Sequence, residues 1–182
     1  DLDESIAYLR TLDYVDGSNI GMVGFCASGR APILFAAARS ELKGIAVFHG
    51  GVYPRDYDPI YPGQGTVADM IPKLSCPVFG VFGESDFLVP VGNVQRFRTE
   101  LELHRKSYRI KVFANTPHAW GVNDETGRYR PKEAEEAWQL MTAFFDEVFN
   151  DKLDTGRVLW QFESDIAPDY DYEKVVRQSQ GS

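Results

Sequence analysis

The chain has 182 residues, of which 43% are hydrophobic and 25% are charged, and this composition is typical of one globular domain. Its net charge of −8 argues against nucleic acid or an anionic membrane surface as a partner. No apolar run reaches the roughly 18 residues that a membrane-spanning helix needs, and the first residues lack the pattern of a signal peptide, so we expect no membrane partner.

Cys26 and Cys76 have no C-x-x-C or metal-ligand spacing, so they form either one disulfide or two free thiols. A reduced, cytoplasmic location suits a reactive thiol at Cys26 better, and we expect that location. Cys76 stands directly before a predicted strand, which is typical of a small buried residue. We expect neither a metal nor an organic cofactor.

Apolar runs and periodic apolar faces alternate along the chain. In order, they predict a helix over 1–12, a strand over 20–25, a helix over 31–39, a strand over 44–49, a loop over 52–66, a short helix over 67–74, a strand over 77–83, a helix over 91–105, a strand over 108–114 and a helix over 131–149. The alternation predicts an α/β fold, with a mostly parallel sheet and helices on both of its faces. The long loop contains three tyrosines, and such loops often cover a functional pocket.

The last part of the chain, residues 151–182, has no clear periodicity. We therefore predict a domain over residues 1–150 and a C-terminal tail over residues 151–182. Its apolar segment at 158–162 predicts either a short strand or a surface that packs on a neighbouring molecule. This tail is therefore a candidate for contacts within a homo-oligomer.

The strand that ends at Phe25 runs into Gly24-x-Cys26-x-Ser28, and a helix follows. This layout resembles the G-x-S-x-G nucleophile elbow, with Cys26 at its centre and Ser28 in place of the second glycine. The backbone at such an apex is strained, so residues two positions away must be small. The helix N-terminus would favour a thiolate. The alternative is that Cys26 is a small buried residue at the end of a strand.

Three chemically active residues follow predicted strands in the order Cys26, Asp86, His118. The carboxyl ends of parallel strands meet at one edge of the sheet, and this order of nucleophile, acid and histidine is that of the α/β-hydrolase fold. His118 would take the thiol proton and later activate water, while Asp86 would orient the imidazole. The N–H of Ala27 would donate to an oxyanion. Glu84 is a competing candidate for the acid.

Four further residues are aromatic residues or histidines, and two of them, Trp120 and His49, allow two interpretations. Phe25 and Trp120 are predicted to contact the substrate, although a position in the core fits Trp120 equally well. His49 either caps its strand, which we favour, or lines the pocket. His104 lies in a charged helical segment and is expected at the surface.

The sequence resembles the dienelactone hydrolase family, whose nucleophile is a cysteine. The matching segments are Asp16-Gly17, Gly21 to Arg30, Ser75 to Pro77, Gly83 to Asp86 with Pro90, and Pro117 to Ala119. The resemblance implies a triad of Cys26, Asp86 and His118. It also implies earlier strands with a second oxyanion donor, and we expect this chain to lack these N-terminal strands. The family usually has glycine at Ser28 and, in dienelactone-cleaving members, an arginine near the position of Val122.

The residues and the resemblance together predict a hydrolase that cleaves a small-molecule ester or lactone through an acyl-cysteine. One alternative is a non-catalytic α/β-hydrolase-like protein with a binding or assembly role. Another is an acyltransferase that passes the acyl group to an acceptor other than water.

Overall fold

The computed structural model describes residues 2–58, 61–63, 65–122, 125–154 and 156–171. The strands in these ranges are β1 (Gly21–Phe25), β2 (Gly44–Phe48), β3 (Val78–Gly83), β4 (Tyr108–Phe113) and β5 (Trp160–Ser164). The helices are α1 (Leu2–Leu9), α2 (Arg30–Ala38), α3 (Pro54–Tyr57), α4 (Val67–Met70), α5 (Val91–Leu103) and α6 (Pro131–Phe149). Among these residues, no helix combines the length and the apolar character needed to cross a membrane.

The five strands form one parallel sheet in the order β1-β2-β3-β4-β5. Successive side chains of a strand point to opposite faces, so Val47 lies in one apolar cluster and Phe48 in the other. Ile33 of α2 and Phe97 of α5 cover the first face, and Phe144 of α6 covers the second. Every residue of β2 and β3 is buried, as expected for central parallel strands. The predicted α/β architecture with helices on both faces is confirmed.

The predicted elements are present, with differences at their ends. The first helix stops at Leu9, because the next backbone bonds, from Thr11 to Tyr8 and from Leu12 to Leu9, follow the tighter i→i−3 pattern of a turn. A 3₁₀ turn over Cys26–Gly29 separates β1 from α2. The long loop is not wholly irregular, because Pro54 starts the short helix α3, where a proline without an N–H is tolerated.

The segment beyond residue 150 contributes β5, so the strand alternative for this segment is confirmed. The strand pairs with β4 and extends the same sheet. Lys111 of β4 is buried and pairs with Glu163 and Asp165 at this edge. The division of the chain at residue 150 and an oligomer contact through the tail stay predictions, and residues 172–182 lie outside the described ranges.

Glu84 connects three parts of the fold at the carboxyl edge of the sheet. It follows β3 and is buried, and its carboxylate accepts the backbone N–H of Asn115 at 2.6 Å and of Ala167 at 2.7 Å. One side chain therefore fixes the loop after β4 and the segment after β5. Hydrogen bonds to a charged group are among the stronger ones in proteins.

We expect Glu84→Ala to lower the free energy of unfolding by about 2–4 kcal/mol, because two charge-assisted hydrogen bonds are lost. Glu84→Gln keeps an acceptor oxygen and should fall between Glu84→Ala and the wild type. Urea unfolding followed by circular dichroism measures the difference. Glu135→Ala, on the exposed face of α6, is the control and should change the value by less than about 0.5 kcal/mol. Equal effects of Glu84→Ala and Glu135→Ala would contradict this account of Glu84.

Candidate functional site

The turn after β1 has the strained backbone that the elbow pattern predicts. Cys26 has a φ of 49°, in the left-handed region that non-glycine residues seldom occupy. Ser28 closes the turn, because its hydroxyl accepts the N–H of Phe25 at 3.0 Å and donates to the carbonyl of Phe25 at 2.7 Å. A Cβ at Gly24 would lie 2.5 Å from the carbonyl oxygen of Ser28. The turn therefore needs a small residue before Cys26, as predicted.

A second close approach holds the elbow from the neighbouring strand. Gly50 follows β2, and a Cβ on it would lie 1.9 Å from the carbonyl oxygen of Cys26. No side chain fits there, so the chain after β2 can pack directly against the backbone of the elbow. This role of Gly50 was not predicted, although two adjacent glycines at the end of a strand indicate that another backbone comes close.

The three residues predicted to act together are adjacent in the structure. Cys26 Sγ lies 3.0 Å from Nε2 of His118, and Nδ1 of His118 donates to Oδ2 of Asp86 at 2.8 Å. They come from the ends of β1, β4 and β3, which meet at the carboxyl edge of the sheet. Asp86 is fully buried and His118 nearly so, whereas Cys26 is partly exposed. The arrangement links a reachable sulfur atom to a buried carboxylate through one imidazole.

The structure also separates the two candidate acids. The other carboxylate oxygen of Asp86 accepts the N–H groups of Leu88 and Val89 at 2.9 and 3.0 Å, which fixes the side chain toward His118. Glu84 is occupied by the two backbone N–H groups described above. Only Asp86 of this pair contacts the imidazole.

The surroundings favour a charged form of the Cys26–His118 pair. Burial disfavours the thiolate, but hydrogen bonds from Tyr53 and His118 outweigh it, and the pKa of Cys26 lies below its ordinary value. Burial likewise opposes a charged imidazole, but the hydrogen bond and the charge of Asp86 raise the pKa of His118. The Tyr53 hydroxyl lies 3.5 Å from Cys26 Sγ, and burial together with this contact raises the pKa of Tyr53.

Cys76 differs from Cys26 in its burial and in the pKa of its thiol. Both cysteines are free thiols, so no disulfide joins them. Burial at the start of β3 raises the pKa of the Cys76 thiol to about 12. Cys76 is therefore the small buried residue that the sequence predicts, and only Cys26 offers a reactive sulfur.

Tyr53 was not among the predicted site residues, and the favoured interpretation of His49 as a strand cap is wrong. Tyr53 belongs to the tyrosine-containing loop that was expected to cover a pocket, and this was the only signal for it. The His49 ring lies edge-on to His118, with ring centroids 5.0 Å apart, so the side chain lines the site instead of capping the strand. Burial, and then the charge of His118, lower the pKa of His49 to about 4. His49 is therefore neutral at physiological pH.

The two aromatic residues predicted to contact substrate have different surroundings. Trp120 is fully buried between Phe48 and Phe113, so the structure favours the core interpretation. Phe25 is 37% exposed beside the half-exposed Trp138 of α6, and it directly precedes Cys26. Substrate contact stays a prediction for both residues.

One group of side chains among the described residues could hold a metal ion. The candidate donor atoms of Cys26, His49 and His118 all lie within 4.8 Å of one another. The group overlaps the predicted triad and adds His49, which the triad does not use.

Comparisons with known proteins agree with this fold. A model of the dienelactone hydrolase family matches residues 1–149. A protein of Methylorubrum extorquens that is predicted to be a carboxymethylenebutenolidase is 26% identical over 145 residues, which are 80% of this chain and 48% of the relative. A protein of Bradyrhizobium that is predicted to be a 2-oxo-3-(5-oxofuran-2-ylidene)propanoate lactonase is 25% identical over 142 residues, 76% of this chain and 54% of the relative.

A solved structure is similar to this chain in fold and in sequence. The crystal structure of a predicted dienelactone hydrolase from Klebsiella pneumoniae superposes with a TM-score of 0.72 at 26% identity, covering 81% of this chain and 59% of that one. The chain thus spans about half the length of the curated relatives it matches.

We expect Gly24→Ala to destabilise the protein by about 1–3 kcal/mol, because the new methyl group meets backbone atoms that must shift. In a chain of this size, each kcal/mol lowers Tm by roughly 2–4 °C, which calorimetry can measure. Gly92→Ala is the matched control, since a Cβ there meets nothing within 4 Å in the first turn of α5. An unchanged Tm for Gly24→Ala would show that the elbow does not need a small residue.

We expect Tyr53→Phe to slow alkylation of Cys26 at neutral pH, because it removes a hydrogen bond that lowers the thiol pKa. The alkylation rate follows the thiolate and rises through the Cys26 pKa, so the midpoint of the rate-against-pH curve should move to higher pH. Iodoacetamide labelling, with peptide mass spectrometry to quantify Cys26 alone, measures the curve. Tyr8→Phe, on the exposed surface of α1, is the control. A Tyr53→Phe curve that superposes on the wild-type curve would rule out this contribution.

Proposed function

The chain belongs to the dienelactone hydrolase family, and from this membership we propose that it cleaves an ester or a lactone through an acyl-cysteine on Cys26. The observation that carries the proposal is the 3.0 Å contact between Cys26 Sγ and His118 Nε2, with Asp86 on the far side of the imidazole. A nucleophile, its base and a group that orients the base are the three parts that acyl transfer requires.

In the first half of the reaction, the Cys26 thiolate attacks the carbonyl carbon, and a carbon–sulfur bond forms. The carbonyl oxygen becomes an oxyanion, to which the N–H of Ala27 donates. The oxyanion then collapses and the carbon–oxygen bond of the ester breaks. His118 gives its Nε2 proton to the departing alkoxide. In a lactone, this alcohol stays attached to the acyl group because the ring has opened.

In the second half, neutral His118 takes a proton from a water molecule, and the hydroxide formed attacks the thioester carbon. The carbon–sulfur bond breaks, the carboxylic acid departs, and the thiolate–imidazolium pair is restored. Asp86 stabilises the imidazolium in both halves and keeps Nε2 facing the sulfur. These steps need no metal and no organic cofactor.

The substrate class follows from the family and from the surface beside the sulfur. Phe25 and Trp138 form an exposed aromatic pair next to Cys26, which suits an apolar part of a small ester or lactone. Val122 stands near the place where dienelactone-cleaving members carry an arginine, so we propose ester or lactone cleavage in general rather than dienelactone itself. Two free thiols also fit the cytoplasm, which we propose as the location.

Intact-protein mass spectrometry with p-nitrophenyl acetate tests this function. We expect the wild type to turn the ester over, with an acetyl adduct that forms on Cys26 and disappears. His118→Ala should retain the adduct, because removal of a general base slows deacylation by about 10²–10⁴-fold. Cys26→Ala should show no adduct and should lose turnover by about 10³-fold or more.

Cys76→Ala is the matched thiol control and should behave as the wild type. An adduct that is released faster by added alcohols than by water would favour an acyltransferase. Absence of an adduct in every folded variant would rule out acyl-cysteine chemistry and favour a binding or assembly role.

A further inference from the structure

His49 is a buried polar residue for which the proposed reaction gives no explanation. It is only 2% exposed, and among the residues that the structure describes neither of its ring nitrogens finds a hydrogen-bond partner. Buried polar groups in native proteins nearly always have a partner, so an unsatisfied one calls for a physical reason. Its backbone φ of 39° is also strained for a non-glycine residue. The fold thus holds an unsatisfied imidazole against the edge of His118.

The missing partner of His49 can be a metal ion that it shares with two neighbours. The donor atoms of Cys26, His49 and His118 lie within 4.8 Å of one another. In a tetrahedral zinc site with bonds of about 2.0–2.3 Å, ligand atoms are roughly 3.3–3.8 Å apart. Side-chain rotations that shift the donor atoms by about 1 Å would bring the three atoms to that spacing. One thiolate with two imidazoles is a ligand set that zinc prefers.

The surroundings of His118 are also those of a metal ligand. Asp86 accepts the Nδ1 proton at 2.8 Å, which leaves Nε2 facing Cys26 Sγ. A metal-bound histidine commonly donates the N–H of its other ring nitrogen to a carboxylate in this way. That hydrogen bond fixes the ring and raises its basicity. Asp86 is itself held by two backbone N–H groups. The carboxylate that orients the imidazole for proton transfer also orients it for a metal.

We propose that Cys26, His49 and His118 form a Zn²⁺ site that occupies the nucleophile and reversibly blocks it. The metal binds the Cys26 sulfur and one nitrogen of each imidazole, and a water molecule completes the tetrahedron. The single proton shared by Cys26 and His118 is released to solvent, and no atom is oxidised or reduced. The metal site is inferred from geometry alone, whereas inhibition of ester cleavage by the metal rests on the proposed function.

The experiment titrates the chelator-treated, metal-free protein with Zn²⁺ against a chromophoric chelator. We expect one Zn²⁺ per wild-type chain and an affinity at least about tenfold weaker in His49→Asn, because a ligand is lost. Asparagine tolerates a positive φ, so this variant keeps the backbone of the turn. His104→Asn makes the same substitution at the end of α5 and should bind as the wild type does. Equal affinities of His49→Asn and wild type, or no stoichiometric binding by the wild type, would overturn the proposal.

Co²⁺ provides a test that does not depend on the folding of His49→Asn. Bound to the wild type, it should give the thiolate-to-metal absorption of a cysteine ligand, and Cys26→Ala should lose it. Asp86→Asn should weaken Co²⁺ binding about 10–100-fold. Absence of the thiolate absorption in the wild type would overturn the site.

Ester turnover separates the two proposals. We expect Zn²⁺ to stop p-nitrophenyl acetate turnover by the wild type and a chelator to restore it. A chain that binds Zn²⁺ through His49 but forms no acyl adduct would contradict the proposed function and leave the metal site standing. A chain that forms the adduct and binds no Zn²⁺ would contradict the metal site and leave the proposed function standing.

Discussion

Cys26 holds a backbone φ of 49°, and the packing around it leaves the turn little room for another path. Gly24 on its own strand and Gly50 after the neighbouring strand each lack the Cβ that would collide with the elbow. The Ser28 hydroxyl, bonded to both backbone groups of Phe25, closes the turn. The sulfur atom is thereby held at the carboxyl edge of the sheet, where the loops after β3 and β4 arrive.

The pKa shifts in the site depend on where the elbow holds the Cys26 sulfur. Asp86 is buried and receives two backbone N–H groups, so its carboxylate remains in place opposite the imidazole. Burial opposes both charges, but the hydrogen bond and the charge of Asp86 raise the pKa of His118, and the hydrogen bonds of Tyr53 and His118 lower the pKa of Cys26. Two of these contacts end on the Cys26 sulfur, from His118 at 3.0 Å and from Tyr53 at 3.5 Å, so a change in the elbow would weaken both at once.

The same atoms allow two kinds of chemistry. A thiolate beside an oriented imidazole can attack a carbonyl carbon, and it can also bind a thiophilic metal. His49 separates these possibilities, because acyl transfer has no use for it while a metal would satisfy one of its buried nitrogens. A reactive thiolate that a metal can cover reversibly is also protected from other electrophiles. A residue beside the nucleophile, such as His49, can therefore affect the reactivity of the thiolate as much as the base does.

The sequence by itself determined the alternating elements, the elbow at Cys26 and the order of Cys26, Asp86 and His118, because these depend on local periodicity and spacing. Only the tertiary structure decided which side chains meet. Glu84 and Asp86 are two positions apart in one loop, and backbone donors from the loop after β4 and from the segment after β5 direct Glu84 away from His118. Likewise, the strand order of the sheet brings the segments after β2 and β4 together at its carboxyl edge, which places His49 against the imidazole and buries Trp120. Such contacts join residues far apart in the chain, and no local pattern encodes them.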